Sequence, residues 1–257
     1  MITIYTYNGN VLKNAGNDNW YTKPEPLDPY NPLRLPPNTV RVRTSDGNPP
    51  IKDSSTTYET ATLVAGTSDV YDVYKDGTDF SNLFARSTNI VEVLGANTTG
   101  IINMANMFSV CSALTTVALF NTTTVLYMDN MFISCSSLTT VPLFNTSNVT
   151  SMIVMFYNCT SLTTAPLFDT SKVENISSMF AGCTSLTAVP LYDTSSVWNM
   201  NQMFYNCINV QTGAYDLYWQ ALRQTTPPSK HNQTFYNCGS NTTTGAADLA
   251  RISYNWK

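Results

Sequence analysis

The apolar and polar positions of the chain follow a fixed period of 24 residues through its middle. The pair Met-Phe occurs at residues 107, 131, 155, 179 and 203, and in each copy a Cys follows three residues after the Phe. A Leu or Val comes three residues after that Cys, and Ser and Thr fill most of the gaps. One copy cannot bury its own Met, Phe and Leu, but stacked copies share a continuous core. The pattern therefore predicts a stack of near-identical coils.

Within one copy, two kinds of local structure are predicted. Leu114, Val117 and Leu119 have the spacing of a short strand whose last two apolar residues share a buried face. Prolines inside this strand remove hydrogen-bond donors, so pairing is expected to be only about two to four residues wide; they are Pro142, Pro166 and Pro190. After an Asn/Asp-Thr-Ser turn, residues 149–156 space apolar side chains at three and four, as a short helical turn does. The predicted class is an α/β repeat with short parallel strands and short helical turns.

The N-terminal part is predicted to form two regions. Residues 1–55 contain many prolines and predict an extended arm, in which Thr39–Thr44 alternates apolar and basic residues like a strand. Two interpretations of this arm stay open: an ordered extension of the domain, or a docking segment that grips another protein. Residues 56–82 predict a small β cap, with a strand on each side of Gly66.

The repeat region itself is predicted to span residues 83–207. Its first copy is degenerate, with Phe84 lying 24 residues before Phe108 and Ser87 in the place of the Cys. Residues 208–257 predict a helical cap, in which residues 214–224 form a helix that Pro227 and Pro228 stop. Phe-Tyr-Asn-Cys at 235–238 predicts one irregular copy, and residues 246–256 close the end.

Composition narrows the classes of partner. Charged residues make up 12% of the chain and the net charge is −4. Lys172 is the only basic residue between Ser87 and Leu222, so no nucleic acid partner is expected. No stretch approaches the roughly 18 apolar residues of a membrane span, so no membrane insertion is expected. Residues 1–7 alternate like a strand and lack the features of a secretory signal.

The cysteines predict a structural row rather than a chemical site. Five of them hold the same position in successive copies, namely Cys111, Cys135, Cys159, Cys183 and Cys207. We favour reduced, buried thiols that act as small hydrophobic groups, with disulfide or metal roles as the alternatives. His231 is the only histidine and no Cys-x-x-Cys pair occurs, so neither a metal nor a cofactor is predicted. A calcium site at Asp69, Asp72, Asp76 and Asp79 is disfavoured because their spacing differs from that of a calcium loop.

No catalytic constellation is present in the sequence. A nucleophile needs a base, and His231 lies in a polar stretch typical of a solvated loop. No paired carboxylates or Gly-rich phosphate loop occur either. We therefore predict that the protein is not an enzyme, and a carbohydrate-active enzyme, as a third class, would need a cluster of acids in a cleft.

The candidate binding residues form a second row, one aromatic residue per copy after the last Leu of the predicted strand. The row consists of Phe120, Phe144, Phe168 and Tyr192, flanked by Thr116, Thr140 and Thr164. If alternation continues, these rings face away from the buried Leu and form an exposed stripe suited to sugars or to an extended protein partner. The alternative, which we favour, is that the chain folds back and the rings pack at the corner of the coil, because four exposed rings invite aggregation.

The motif that runs from Phe-x-x-Cys-x-x-Leu to the next Met-Phe resembles the BspA-like branch of the leucine-rich repeats. The resemblance covers residues 83–207 and returns at 235–238. It implies a right-handed solenoid and a role in adhesion or recognition rather than catalysis. The regular repeats, together with the Pro-rich opening, also resemble repeat modules on virion proteins of gut bacteriophages.

These resemblances lead to two functional hypotheses. The first is a structural or binding protein of a phage virion: a tail-fibre, tail-associated or capsid-surface component, assembled in the host cytoplasm. Its N-terminal region would contact other virion or surface proteins, and its repeats would face a host-surface glycan or protein. The alternative is a BspA-like adhesin on a bacterial cell surface.

Overall fold

The protein is described by a computed structural model that covers residues 35–257 and the backbone of two short strands before them. These strands are β1 (Tyr5–Tyr7) and β2 (Asn10–Leu12), which pair antiparallel. The predicted arm at residues 13–34 lies outside the described residues.

A five-stranded sheet stands at the N-terminal end of the repeats. Its strands are β3 (Thr39–Thr44), β4 (Thr60–Leu63), β5 (Val70–Tyr74), β6 (Ile90–Asn97) and β7 (Thr116–Val117). They lie in the order β4-β5-β3-β6-β7, and only the pair β6–β7 is parallel. The predicted strand at Thr39–Thr44 is confirmed, and so is the strand pair around Gly66.

Strand β3, the short strand predicted within the arm of residues 1–55, is the central strand of this sheet. Val40 and Val42 are fully buried. Their basic neighbours pair across the sheet, with Arg41 Nε 2.6 Å from an oxygen of Asp72 and Arg43 donating to Glu92. The alternation of apolar and basic residues suits a central strand here because each cation finds a carboxylate on an adjacent strand.

Successive repeats pair in parallel through single residues at 24-residue intervals. These bridges connect Asp79, Asn103, Tyr127, Ser151, Asn175 and Asn199, and a last bridge joins Asn199 to Lys230. In the interior, one phenylalanine from each copy stacks on the next, with ring centroids 5.3 to 6.0 Å apart and planes within 12°. The column consists of Phe84, Phe108, Phe132, Phe156, Phe180, Phe204 and Phe235, all fully buried. Each copy thus provides the apolar wall that its neighbour needs.

The predicted helical turn at residues 149–156 is wrong. Residues 153–158 form consecutive turns instead, in which Val154 and Asn158 have positive φ angles of 59° and 57°. The N–H groups of Val154 and Phe156 donate to carbonyl oxygens of the next repeat, at 2.9 and 2.8 Å. Because left-handed residues redirect these N–H groups along the stack, bonds between repeats replace the i→i−4 bonds of a helix. The apolar spacing of three and four reflects turns.

The predicted parallel strand, about two to four residues wide, is present in the first regular copy but not in the next. In the first regular copy the pair Thr116–Val117 is a strand, and Ala118 N–H donates to Val93 O at 2.8 Å. Pro142 occupies the equivalent of Ala118 in the next copy and has no N–H to donate. The ladder therefore narrows there, and residues 140–144 are not assigned to a strand.

Two helices follow the regular repeats. Helix α1 (Ala214–Leu222) confirms the predicted helix, two residues shorter at its end, and α2 (Thr243–Arg251) covers much of the predicted closing segment. A short 3₁₀ helix (Tyr254–Trp256) comes last. None of the helices within the described residues is long and apolar enough to cross a membrane.

The cysteines form a buried row along the stack. Each thiol donates to the carbonyl oxygen of a phenylalanine 27 residues earlier, at 3.0 to 3.1 Å; the donors are Cys111, Cys135, Cys159, Cys183 and Cys207. All six cysteines of the described residues, including Cys238, are free and buried. Burial raises the pKa of the Cys159 thiol from 9.0 to about 12. The thiols therefore stay protonated, as small donors inside the core.

Candidate binding face

The exposed feature that repeats most regularly is a row of leucines, one per copy. Leu119, Leu143, Leu167 and Leu191 are 60%, 63%, 61% and 56% exposed, and we call them the leucine row. Large apolar side chains exposed in such a series are typical of an interaction surface.

The aromatic residues directly after these leucines are buried. Phe120, Phe144, Phe168 and Tyr192 are between 0% and 6% exposed. The prediction that these rings form an exposed binding stripe is therefore wrong, and the favoured alternative, rings packed at the corner of the coil, is confirmed. The leucines, which were predicted to be buried, take the exposed position instead.

A tight turn explains this inversion. The N–H of Phe144 donates to Pro142 O at 3.0 Å, and the N–H of Phe168 donates to Pro166 O at 2.9 Å. A hydrogen bond between residues two apart closes a γ-turn, here centred on the leucine between them. Because the chain turns at the leucine, the alternation of an extended strand ends there. The leucine points outward and the ring that follows returns to the core.

The buried rings extend the central phenylalanine column sideways. The ring of Phe168 lies 6.3 Å from that of Phe156 and 6.4 Å from that of Phe144. Tyr192 lies 6.1 Å from Phe180, and its hydroxyl donates to Pro166 O at 2.7 Å. Burial raises the pKa of Tyr192 well above its usual value. Because each buried ring directly follows a leucine of the row, the packing of the rings fixes the positions of the leucines.

The three predicted threonines do lie on the surface. Thr116, Thr140 and Thr164 are exposed, each three residues before a leucine of the row. The structure thus leaves the threonines at the surface and removes the aromatic rings from it.

An open groove of about 520 Å³ lies at the N-terminal end of the leucine row. Leu119 and Leu143 form its apolar part, and its polar part comes from Asn97, Thr99, Asn121, Thr123 and Asn145. The side-chain oxygens of Asn121 and Asn145 already accept backbone N–H bonds from residues two positions on. Within the described residues their amide nitrogens have no partner, so hydrogen-bond donors surround an apolar floor.

The other end of the row is acidic. Asp169 and Asp193 replace the asparagines of the earlier copies, and both are exposed. The side-chain and backbone hydrogen bonds from Ser171 lower the pKa of Asp169. The face therefore changes from neutral amides to carboxylates along its length, which gives it a direction.

The sequence contained one signal for this arrangement that the strand interpretation missed. Pro-Leu-aromatic occurs at 142–144, 166–168 and 190–192, always before an Asn or Asp. A proline followed by one residue at the centre of a turn, here the leucine, is compatible with a tight turn as well as with a strand.

Among the residues that the structure describes, no group of three or more His, Cys, Asp or Glu side chains is arranged to bind a metal ion.

Comparison with known proteins places the repeats in a family. The model of the family described as "Mycoplasma protein of unknown function, DUF285" matches residues 78–187 and, in a second overlapping match, residues 163–240. No curated protein matches the chain. A crystal structure of a leucine-rich repeat protein from Eubacterium ventriosum is similar, with 20% sequence identity and a TM-score of 0.42. That match covers 66% of this chain and 44% of the other, so it spans less than half of that protein.

Proposed function

The chain belongs to the protein family described as Mycoplasma protein of unknown function, DUF285, and we propose that it works as a non-enzymatic recognition protein. The family is a BspA-type repeat family, which confirms the resemblance to the BspA-like leucine-rich repeats. We also propose that the stacked copies form a right-handed solenoid along which the leucine row runs. The parallel bridges from Asp79 to Lys230 support that shape.

The observation that carries the binding function is the exposure of four leucines in register, between 56% and 63% each. Burying one such side chain completely is favourable by roughly 1.5–3 kcal/mol. A partner that covers the row therefore gains several kcal/mol without any rearrangement of the core, because the rings beneath are already packed.

The spacing of the repeats favours an amphipathic helix as the partner. Copies that pair in parallel lie about 4.8 Å apart, which is closer to the rise of one α-helical turn, about 5.4 Å, than to the repeat of an extended strand. A helix parallel to the row can place one apolar residue per turn between successive leucines. Residues on the same face of an extended strand are about 6.6–6.8 Å apart, so they do not match the spacing of the leucines. Basic residues at one end of the helix would meet Asp169 and Asp193.

We keep both predicted locations as proposals. The family description names a bacterial genus, which supports the cell-surface alternative more than the phage virion. In the virion proposal the N-terminal region contacts other virion or surface proteins. Antibody labelling of intact bacteria, compared with labelling of purified phage particles, distinguishes the two.

A double substitution in the leucine row tests the binding function. The variant Leu143→Thr/Leu167→Thr should bind a labelled amphipathic helix of about 18 residues, with one leucine per turn, at least about tenfold more weakly than the parent protein. Fluorescence polarisation measures the affinity. Unfolding free energy should change by less than about 0.5 kcal/mol per substitution, because both side chains are exposed.

Two controls accompany this test. Tyr157→Thr removes an aromatic side chain that is 37% exposed and lies outside the row, and it should leave binding unchanged. A peptide of the same composition with scattered leucines should not bind. Equal affinity of the double variant and the parent protein would exclude the leucine row as the site.

A further inference from the structure

A second open pocket lies at the C-terminal end, apart from the leucine row. Its volume is about 450 Å³. It is formed by the last regular copy, the segment after Pro228, and the final 3₁₀ helix. The residues around it are Asn201, Ser229, Lys230, His231, Asn232, Gln233, Tyr254, Asn255 and Lys257.

Backbone contacts fix the wall of this pocket. Lys230 pairs in parallel with Asn199, and its N–H donates to Trp198 O at 2.9 Å. The N–H of Asn232 donates to the side-chain oxygen of Asn201 at 2.8 Å. The imidazole of His231 stacks on Trp256, with ring centroids 4.2 Å apart and planes within 5°. The wall is therefore built by backbone hydrogen bonds between copies and by the half-buried His231 stacked on the buried Trp256.

Several polar groups around the pocket lack a partner. Within the described residues, the side chains of Asn232, Asn255 and Lys257 make no hydrogen bond. Gln233 uses its oxygen to accept from Gln202, at 2.9 Å, and leaves its amide nitrogen free among those residues. The buried Nδ1 of His231 likewise has no hydrogen-bond partner in the described part of the chain. Asn232 and Asn255 are exposed and Gln233 is half-buried, so their amide groups are accessible from the pocket and can bind the hydroxyls of a ligand.

The positive charge of the pocket and the exposed ring of Tyr254 indicate which class of ligand it can bind. Among the residues that the structure describes, two lysines and no Asp or Glu side chain line the pocket, in a chain of net charge −4. Lys230 Nζ lies 4.9 Å from the ring of Trp198, and Tyr254 at the rim is 87% exposed. Amides suit hydroxyl groups, an exposed aromatic face suits the apolar face of a sugar ring, and an ammonium suits a carboxylate.

We propose that this pocket binds an acidic sugar, with its hydroxyls on the amide side chains, one ring face against Tyr254 and its carboxylate on Lys230. A volume of about 450 Å³ lies within the range of small-molecule sites. The site is separate from the helix-binding face, so the two proposals succeed or fail independently.

The test is a titration of the ¹⁵N-labelled full chain with methyl glucuronide, methyl glucoside and inorganic phosphate at constant ionic strength. Glucuronide should cause saturable shifts in the amides of residues 229–233 and 254–257, and it should bind at least about fivefold more tightly than glucoside. Lys230→Gln should weaken glucuronide binding about tenfold, which corresponds to the loss of one charge-assisted contact. Tyr254→Ala should weaken both sugars several-fold.

The controls separate local from general effects. Lys172→Gln removes the same charge within the repeats and should leave the affinity unchanged, as should the double variant in the leucine row. Lys230→Gln keeps the backbone groups that pair with Trp198 and Asn199, and Asn232→Ala is a second variant of the same site. Absence of saturable shifts in this pocket, phosphate binding as tight as glucuronide binding, or full affinity in both Lys230→Gln and Tyr254→Ala would overturn the proposal.

Discussion

Replacing Phe168 by Ala should lower the free energy of unfolding by about 3–5 kcal/mol, whereas replacing its neighbour Leu167 should lower it by less than about 0.5 kcal/mol. Phe168 is 2% exposed and contacts both Phe144 and Phe156, so its loss leaves a cavity beside the central column. Leu167 is 61% exposed and leaves no cavity. The contrast is large because the γ-turn separates two adjacent residues into core and solvent.

Urea unfolding followed by circular dichroism measures this difference. The pair Leu143→Ala and Phe144→Ala should give the same contrast one copy earlier, which makes it an internal replicate. A larger loss for the leucine than for the phenylalanine at both positions would contradict the inversion of the predicted faces.

Raising the pH above about 9 should destabilise the protein strongly. Burial raises the pKa of Cys159 to about 12 and raises that of the other five cysteines as well. A thiol with a raised folded-state pKa contributes stability that is fully present below its unfolded-state value, 9.0, and is lost as the pH rises. Between the unfolded-state and folded-state pKa values, each thiol should lower the free energy of unfolding by about 1.4 kcal/mol per pH unit.

The variant Cys159→Ala isolates one thiol. At neutral pH it should be less stable than the parent protein, because a buried side chain is shortened. At about pH 10 the gap should narrow by about 1.4 kcal/mol, since the variant has one fewer proton to lose on unfolding. Urea titrations at the two pH values measure the gap, and a gap that does not change with pH would show that the thiol is not held protonated by the fold.

The stacking of copies was predictable because it depends only on the period. Met, Phe and Cys recur at fixed positions, and side chains at equal positions of stacked copies must meet. Helix α1 was predictable for a similar reason, since its apolar residues keep one helical face and two prolines follow it. The family resemblance rested on the same period and is confirmed by the family match.

The local backbone within a copy was not predictable from apolar spacing. A series of turns with left-handed residues such as Asn158 gives the same three- and four-residue spacing as a helix. A helix and a series of turns differ in where the backbone N–H groups donate their hydrogen bonds. Here the N–H groups donate to carbonyl oxygens of the next copy. The hydrogen-bond acceptors therefore belong to a neighbouring copy, and the sequence of one copy does not reveal them.

The prediction of the exposed residues was wrong because it also assumed a local backbone conformation. Alternation assigns Leu167 to the core and Phe168 to solvent as long as the chain stays extended. A single hydrogen bond from Phe168 N–H to Pro166 O reverses both assignments. The threonines lie before the turn and keep their predicted exposure.

Engineered cysteines in the leucine row test the central claim, that the copies lie in register with these leucines outside, most directly. In the double variant Leu143→Cys/Leu167→Cys, the two positions belong to adjacent copies about 5 Å apart, within the range that a disulfide spans. In Leu143→Cys/Leu191→Cys they are two copies, or about 10 Å, apart and outside that range. After mild oxidation, mass spectrometry should find the 143–167 bond in nearly all molecules of the first variant and no intramolecular bond between 143 and 191 in the second. A first variant that stays reduced, or a second that closes equally well, would contradict the stacked arrangement.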